Sequence, residues 1–407
     1  MKISYKKYLK KNNLWLITEL FPPEETSTSY IFGEIANVLA DKYQVNVICG
    51  PEIYDYNKKR DTNNPFIFNE GIRVLRVKGI TENKNNTFSR VKKFLLMSNR
   101  LYKIAKQNIK EGDKVLMATN PFPLIIPMGR LRRNRNFELN VLVHDVFPEP
   151  LEFRMKLPSF VYSVLYRMFG KAYASADLLI SLGRDMTELL RSKTAAYNPS
   201  LRIEQIENWG DVESIKRQDR SPSIPADKLV IQYAGNIGEA QGVQEFINHV
   251  NAIRNNHLLF SIWGTGSEEN KIKDYVDKNN LNEYVEFNGP YFRSQQSNVL
   301  NRCDMALVSL RNKILGIGVP SKTYNILAAG KPILFVGPLK SEIAQMIQEN
   351  DIGYCFDEFD YDGIEQFISS LSSDNIMDFQ TKGIKARKLA EKKYSKEIIL
   401  NRFKELI

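Results

Sequence analysis

Short runs of β-branched and other apolar residues recur along this chain, and between them apolar positions return every three or four residues. In the first half the runs are Leu14 to Thr18, Val45 to Cys49, Val74 to Val77, Val115 to Ala118, Leu139 to Val143 and Leu178 to Leu182. A second series follows at Leu229 to Ala234, Leu258 to Trp263, Val285 to Phe287, Met305 to Ser309 and Ile333 to Val336. Continuous apolar runs bounded by polar turns read as strands buried on both faces, and the helical stretches between them supply the crossovers of a parallel sheet. The expected fold class is therefore α/β, with two doubly wound, Rossmann-like domains and a cleft between them. Residues 218–225 are polar, carry two prolines and read as a linker. No fixed-period repeat is evident.

At 407 residues the chain exceeds what one compact core organises, which agrees with two domains. No apolar run approaches the roughly 18 residues that span a bilayer. The Lys-rich start followed by Leu14 to Thr18 imitates a signal peptide, but the apolar part ends at Glu19 and meets Phe21-Pro-Pro23, so it reads as the first strand. Cys49, Cys303 and Cys355 are far apart and flanked by apolar residues, which suits reduced thiols in the cytoplasm and not a metal site.

Charge changes the picture more. Residues 1–210 carry 33 Lys and Arg against 21 Asp and Glu, a surplus of 12, whereas residues 211–407 carry 24 against 26. One domain is thus expected to meet an anionic partner. Residues 88–110 place Phe88, Val91, Phe94, Leu95, Leu101, Ile104 and Ala105 near helical spacing, with Arg90, Lys92, Lys93, Arg100, Lys103 and Lys106 between them. Such a basic amphipathic helix can rest on an anionic membrane surface, with Lys92, Lys93, Arg100 and Lys103 as its contacts, or simply face a core with a charged outer side. Residues 129–135 and the apolar stretch Leu157 to Tyr173 extend the same surface. No zinc-finger spacing, RNA-recognition signature or dominant basic run points to nucleic acid.

Three strand ends in the second half carry phosphate-binding chemistry. The turn with Gly235, Asn236, Gly238 and Gln241 follows one strand and precedes a helix, and Gly264 and Gly266 repeat the design after the next, with Ser267 placed to cap a helix. Gly318, Val319, Pro320, Ser321 and Lys322 then lead into a short small-residue helix that ends at Gly330 and Pro332, offering backbone N–H groups, a hydroxyl and a cation to a phosphate. Together they predict one nucleotide cleft along the C-terminal sheet edge. In the first half, the hydroxyl-rich loop with Pro22 and Thr26 and the pair His144 and Asp145 also lie at strand ends, and Asn208 to Asp211 sits at the domain junction. Asp360-Tyr-Asp362 matches a metal-binding Asp-x-Asp pattern but lies late in an acidic stretch and reads as a solvated loop.

These segments resemble glycosyltransferase family 4, the retaining sugar-nucleotide transferases of the GT-B fold, along nearly the whole chain. The branch most similar is that of bacterial O-antigen and capsule transferases, N-acetylfucosamine transferases among them. It shares a Gly-Asn-x-Gly-x-x-Gln-Gly loop and Pro-Ser-Lys-x-x-x-x-Leu-Ala-Ala-Gly-Lys-Pro.

The resemblance implies an acceptor-binding domain over 1–210, a nucleotide-sugar domain over 211–385, and a helix over 386–407 crossing back to the first. It implies a UDP-sugar as donor, a polyprenyl-diphosphate-linked glycan as acceptor, no cofactor or metal, and a place at the inner face of the membrane. Two departures stand out. Asn236 and Gln241 occupy the places of the family's cationic clamp, which leaves Lys322 as the replacement. Ile317 and Asn325 occupy the places of its Glu pair, which leaves Asn325 for a ribose hydroxyl. His144, Asp145 and Lys322 are the expected catalytic residues. A sugar-nucleotide epimerase on the same fold, and a non-catalytic protein binding anions or nucleic acid, are the competing readings.

Overall fold

The computed structural model describes residues 11–52, 65–80, 87–155, 157–222, 224 and 227–407. Part of the expected linker, residues 223 and 225, lies outside them, as do the side chains of Phe88 and Arg90. Strands β1 (Asn13–Thr18), β2 (Gln44–Cys49), β3 (Arg73–Arg76), β4 (Lys114–Ala118), β5 (Glu138–Leu142), β6 (Leu178–Ser181) and β7 (Arg202–Gln205) form a seven-stranded sheet in the order β3-β2-β1-β4-β5-β6-β7. Strands β8 (Leu229–Ala234), β9 (Leu258–Trp263), β10 (Val285–Gly289), β11 (Met305–Ser309), β12 (Ile333–Val336) and β13 (Gly353–Phe356) form a six-stranded sheet in the order β10-β9-β8-β11-β12-β13.

Pairing is parallel throughout. In each sheet the winding reverses beside the first strand, β1 between β2 and β4, β8 between β9 and β11. That reversal opens a crevice beyond the strands' C-terminal ends. Leu14, Leu16 and Ile17 on β1 are fully buried, as helices on both sheet faces require. Two edge strands have no counterpart in the expected series. β7 reads Arg-Ile-Glu-Gln and β13 Gly-Tyr-Cys-Phe, both only partly buried.

The last stretch, expected as one helix, is two: Ile376–Lys393 and Lys396–Leu406. Ser395 breaks them, its hydroxyl accepting from the Ile398 amide to cap the second. That second helix lies on the first lobe, where Lys404 pairs with Asp41 at 2.7 Å and the Ile407 carbonyl accepts from Tyr43 Oη and Lys114 Nζ. The Gly210 amide donates to the Tyr394 carbonyl at 2.8 Å, so the two chain crossings run side by side. A Cβ at Gly210 would stand 2.3 Å from the Tyr324 carbonyl, which is why only glycine fits there. Trp209, Tyr324 and Tyr394 are buried at this junction, making one apolar core continuous between the lobes.

Candidate functional site

Lys322 opens the helix Lys322–Ala328 in the second lobe. Its ammonium lies 3.5 Å above the centre of the Tyr233 ring, and Nζ is buried without a hydrogen-bond partner. Burial alone pulls its pKa from 10.5 down to about 7. A Cβ at Gly235 would lie 3.7 Å from this nitrogen and 3.5 Å from Lys322 Cδ, so the Gly235 turn packs directly against the Lys322 side chain. Tyr233 is itself fixed, its hydroxyl donating to the Asn236 carbonyl at 2.5 Å. Ser321, just before the helix, makes no capping hydrogen bond with its hydroxyl.

The glycine loops do different work from that expected. The amides of Gly235 and Ile237 donate to the carbonyls of Trp263 and Thr265, and the Gly264 amide to that of Gly289. A Cβ on Gly264 would fall 1.9 Å from the Gly235 carbonyl and one on Gly266 2.1 Å from that of Ile237. Gly264 and Gly266 are thus glycine so that two loops can zip together; the Gly235 amide is spent on that contact and the Gly264 amide on the Gly289 carbonyl. Asn236 and Gln241 face one another at 3.4 Å across Gly238. Ser267 caps nothing; the next helix, Glu269–Lys278, has Glu268 at its N-cap position with no side-chain cap.

The first lobe meets the segment just before the helix Lys322–Ala328. The Val146 amide donates to the Ile317 carbonyl at 2.8 Å, and Asp145 bridges Gly318, where a Cβ would stand 2.8 Å from Asp145 Oδ1. The loop of His144 and Asp145 therefore meets Ile317 and Gly318 across the cleft. Thr119, at the end of β4, holds that loop by accepting from both the His144 and Asp145 amides. The His144 residue is half-buried, but its Nε2 is enclosed and unpartnered. Burial pushes its pKa down to about 4, so the imidazole is neutral.

Other expected contacts are structural. Thr26 caps the helix Ser27–Leu39 by accepting from the Ser29 amide, and Pro22 is buried with its carbonyl on Arg76. Asn208 is buried in the crossover. Asp211 accepts from Tyr30 Oη at 2.8 Å, and its amide donates to Asn325 Oδ1, occupying the oxygen expected to meet a ribose. Asp360 is exposed and caps the helix Tyr361–Ser370 through the Gly363 amide.

Sequence patterns gave no sign of Tyr30 and Arg293. The Arg293 guanidinium lies 3.4 Å from the Tyr30 ring centre, joining the second lobe to the first. Lys396 approaches Tyr30 Oη and Glu34 at 3.5 Å, completing a polar cluster around Asp211.

On the helix Thr87–Asn108, Lys92 and Lys103 are exposed. Lys93 is buried, and Arg100 donates to the carbonyls of Lys78 and Gly79. The expected four-cation face is thus corrected to Lys92 and Lys103, because the other two side chains turn toward the protein. Among the described residues no helix is long and apolar enough to cross a membrane.

Residues 214–395 match the family described as Glycosyl transferases group 1. A protein of Pseudomonas aeruginosa named a probable glycosyltransferase, WbjE, is 33% identical over 303 residues, covering 72% of this chain and 74% of its own. The chain belongs to the group 1 glycosyl transferases. A second relative, WcaI of Escherichia coli K12, bears a provisional name as a colanic acid biosynthesis glycosyl transferase; it is 25% identical over 194 residues, 47% of this chain and 46% of its own.

This glycosyl transferase also superposes on Anabaena HepE, solved in complex with UDP, with a TM-score of 0.64 over 97% of this chain and 99% of that one, at 13% identity. The two parallel sheets and this likeness establish the expected GT-B architecture.

Proposed function

We propose that this glycosyl transferase moves a hexosyl or N-acetylhexosaminyl group from a UDP-sugar to a lipid-diphosphate-linked glycan. The reaction retains anomeric configuration, needs no metal, and serves bacterial O-antigen or capsule assembly at the cytoplasmic face of the membrane. Family 4, in its N-acetylfucosamine branch, is the subgroup that the shared loops favour. One observation carries the reading: a buried ammonium, Lys322 Nζ, stands unpartnered beside the Gly235 turn, on a helix whose preceding residues Ile317 and Gly318 meet the other lobe's His144–Asp145 loop.

In the proposed reaction the acceptor oxygen bonds to the sugar's anomeric carbon as the bond from that carbon to the phosphate oxygen breaks. The acceptor's proton passes to the departing phosphate. Charge therefore grows on the diphosphate, and Lys322, the Ser321 hydroxyl and the first-turn amides of the helix that follows would oppose it. The neutral His144 imidazole would hydrogen-bond a sugar hydroxyl, with Asp145 beside it positioning the sugar against Gly318 and Val319.

The HepE complex supports a uridine diphosphate donor, and the WcaI name supports a surface polysaccharide as product. Membership of a transferase family favours transfer over epimerisation. Titration calorimetry with UDP, GDP and their sugar conjugates tests the donor, and a radiolabelled donor mixed with bacterial lipid extract tests the acceptor. Binding of a UDP compound, with loss of about tenfold or more in Lys322→Ala, is expected for a charged hydrogen bond of about 1.5–3 kcal/mol. Absence of binding by every nucleotide diphosphate would overturn the proposal.

A further inference from the structure

The helix Ser159–Tyr173 buries its C-terminal end, Phe169, Gly170, Ala172 and Tyr173, and turns apolar side chains outward along the rest. Phe160, Val164 and Met168 are 73%, 53% and 39% exposed and lie four residues apart, one stripe about 12 Å long at 1.5 Å per residue. Scattered exposed apolar residues need no explanation, but an aligned row on one helix marks a contact surface. The cations Arg167 and Lys171 are exposed on the same helix. Of the nearby acids, Glu149 is turned inward, its carboxylate 2.6 Å from the buried Lys193 ammonium, and Glu152 sits beside Tyr162.

The stripe is coupled to the cleft. Phe147, two residues beyond Asp145, stacks on Phe122 at 4.4 Å, and its amide donates to Tyr173 Oη at 3.2 Å. Phe122 also meets Phe169 of the same helix and Phe94 of Thr87–Asn108, whose next two residues, Leu95 and Leu96, are exposed. One aromatic cluster thus holds the site loop and both helices.

We infer that the Phe160, Val164 and Met168 stripe seats among the headgroups of an anionic bilayer, with Arg167 and Lys171 against lipid phosphates. Charge complementarity selects this occupant. The half of the chain that carries the stripe holds the whole basic surplus, and apolar side chains with adjacent cations are the pattern of an interfacial helix. The inference deepens the proposed function, on which it rests for the reason a bilayer is approached. It places the acceptor's membrane beside the loop of His144 and Asp145.

The test is flotation of the full chain with phosphatidylglycerol/phosphatidylethanolamine vesicles and with phosphatidylcholine vesicles. Wild type should float with the anionic vesicles only. Val164→Glu should lower partitioning about tenfold or more, and the pair Arg167→Glu and Lys171→Glu should weaken binding and flatten its salt dependence. UDP binding should persist in each variant, showing an intact fold. Equal flotation by Val164→Glu, no preference for anionic vesicles, or a wild-type dimer that this variant dissociates would each overturn the inference. Nucleotide binding without vesicle binding would sink it and leave the transferase reading standing; vesicle binding without nucleotide binding would do the reverse.

Discussion

If Lys322 grips the donor diphosphate as an ammonium, donor affinity must fall as pH rises through the neutral range. In the free protein burial holds this group at about 7. A bound diphosphate favours the charged form and raises that value, so binding above neutrality takes up a proton. With the free value at about 7, the charged fraction is roughly nine-tenths at about pH 6 and one-tenth at about pH 8. The association constant then drops about tenfold across that interval, or about 1.4 kcal/mol. A nucleotide sugar is the right probe, because its phosphodiester oxygens keep their charges throughout. His144, held at about 4, and Tyr233, pushed up by burial, stay neutral across the same range. Calorimetry in buffers of different ionisation enthalpy should report uptake of nearly one proton at about pH 8. Lys322→Arg, always charged, should bind without this slope, and Lys322→Met should bind weakly and without it. A flat wild-type profile, or a slope that survives in Lys322→Met, would refute the assignment.

The same depressed value makes a stability statement. The unfolded chain holds the Lys322 proton between about pH 7 and 10.5 while the free folded protein sheds it, so stability rises with pH there. Urea unfolding should show Lys322→Met more stable than wild type at neutral pH, with the gap closing as pH rises. Gly318→Ala would drive a methyl to 2.8 Å from Asp145 Oδ1, so turnover should fall severalfold with the melting temperature changed by only a few degrees. Arg293→Ala removes the stacking contact on Tyr30, worth about 0.5–2 kcal/mol, and small-angle scattering should show a wider mean separation of the lobes. An unchanged scattering profile would show that this contact does not hold the lobes together.

The strands that form the middle of each sheet were legible because burial on both faces leaves little room for polar residues: β8, β9, β11 and β12 begin and end where their apolar runs do. β7 was not, since an edge strand half open to water tolerates Arg202, Glu204 and Gln205. The loops around Gly235, Gly264 and Gly318 stood out for the right reason, that a backbone or ligand comes close, but composition cannot say which. At Gly264 the close neighbour is the Gly235 carbonyl, and at Gly235 it is the Lys322 side chain. Hydroxyls misled most, because Thr26 reads equally as a ligand or as a helix cap. Tyr30 and Arg293 have no local signature at all. Their contact exists only once two separate sheets are brought face to face.

How a single buried cation could serve in place of the two-cation clamp that the family resemblance implies depends on when its dehydration is taken. Moving the Lys322 value from 10.5 to about 7 costs the folded protein, at neutral pH and above, at most about 1.4 kcal/mol for each unit that the charged form is disfavoured. That cost is met during folding, by a side chain enclosed between the Tyr233 ring and the Gly235 turn. A hydrated ammonium would have to shed its water when donor arrives, and would spend part of its attraction in doing so. In the proposed reaction a buried ammonium, once protonated, would act in a medium that screens it weakly, and its attraction would grow as the departing phosphate gains charge. On the proposed reading, the contact of the Asp145 loop with Gly318 would help keep water from the donor phosphate, which would preserve the advantage of a dry cation over hydrated ones.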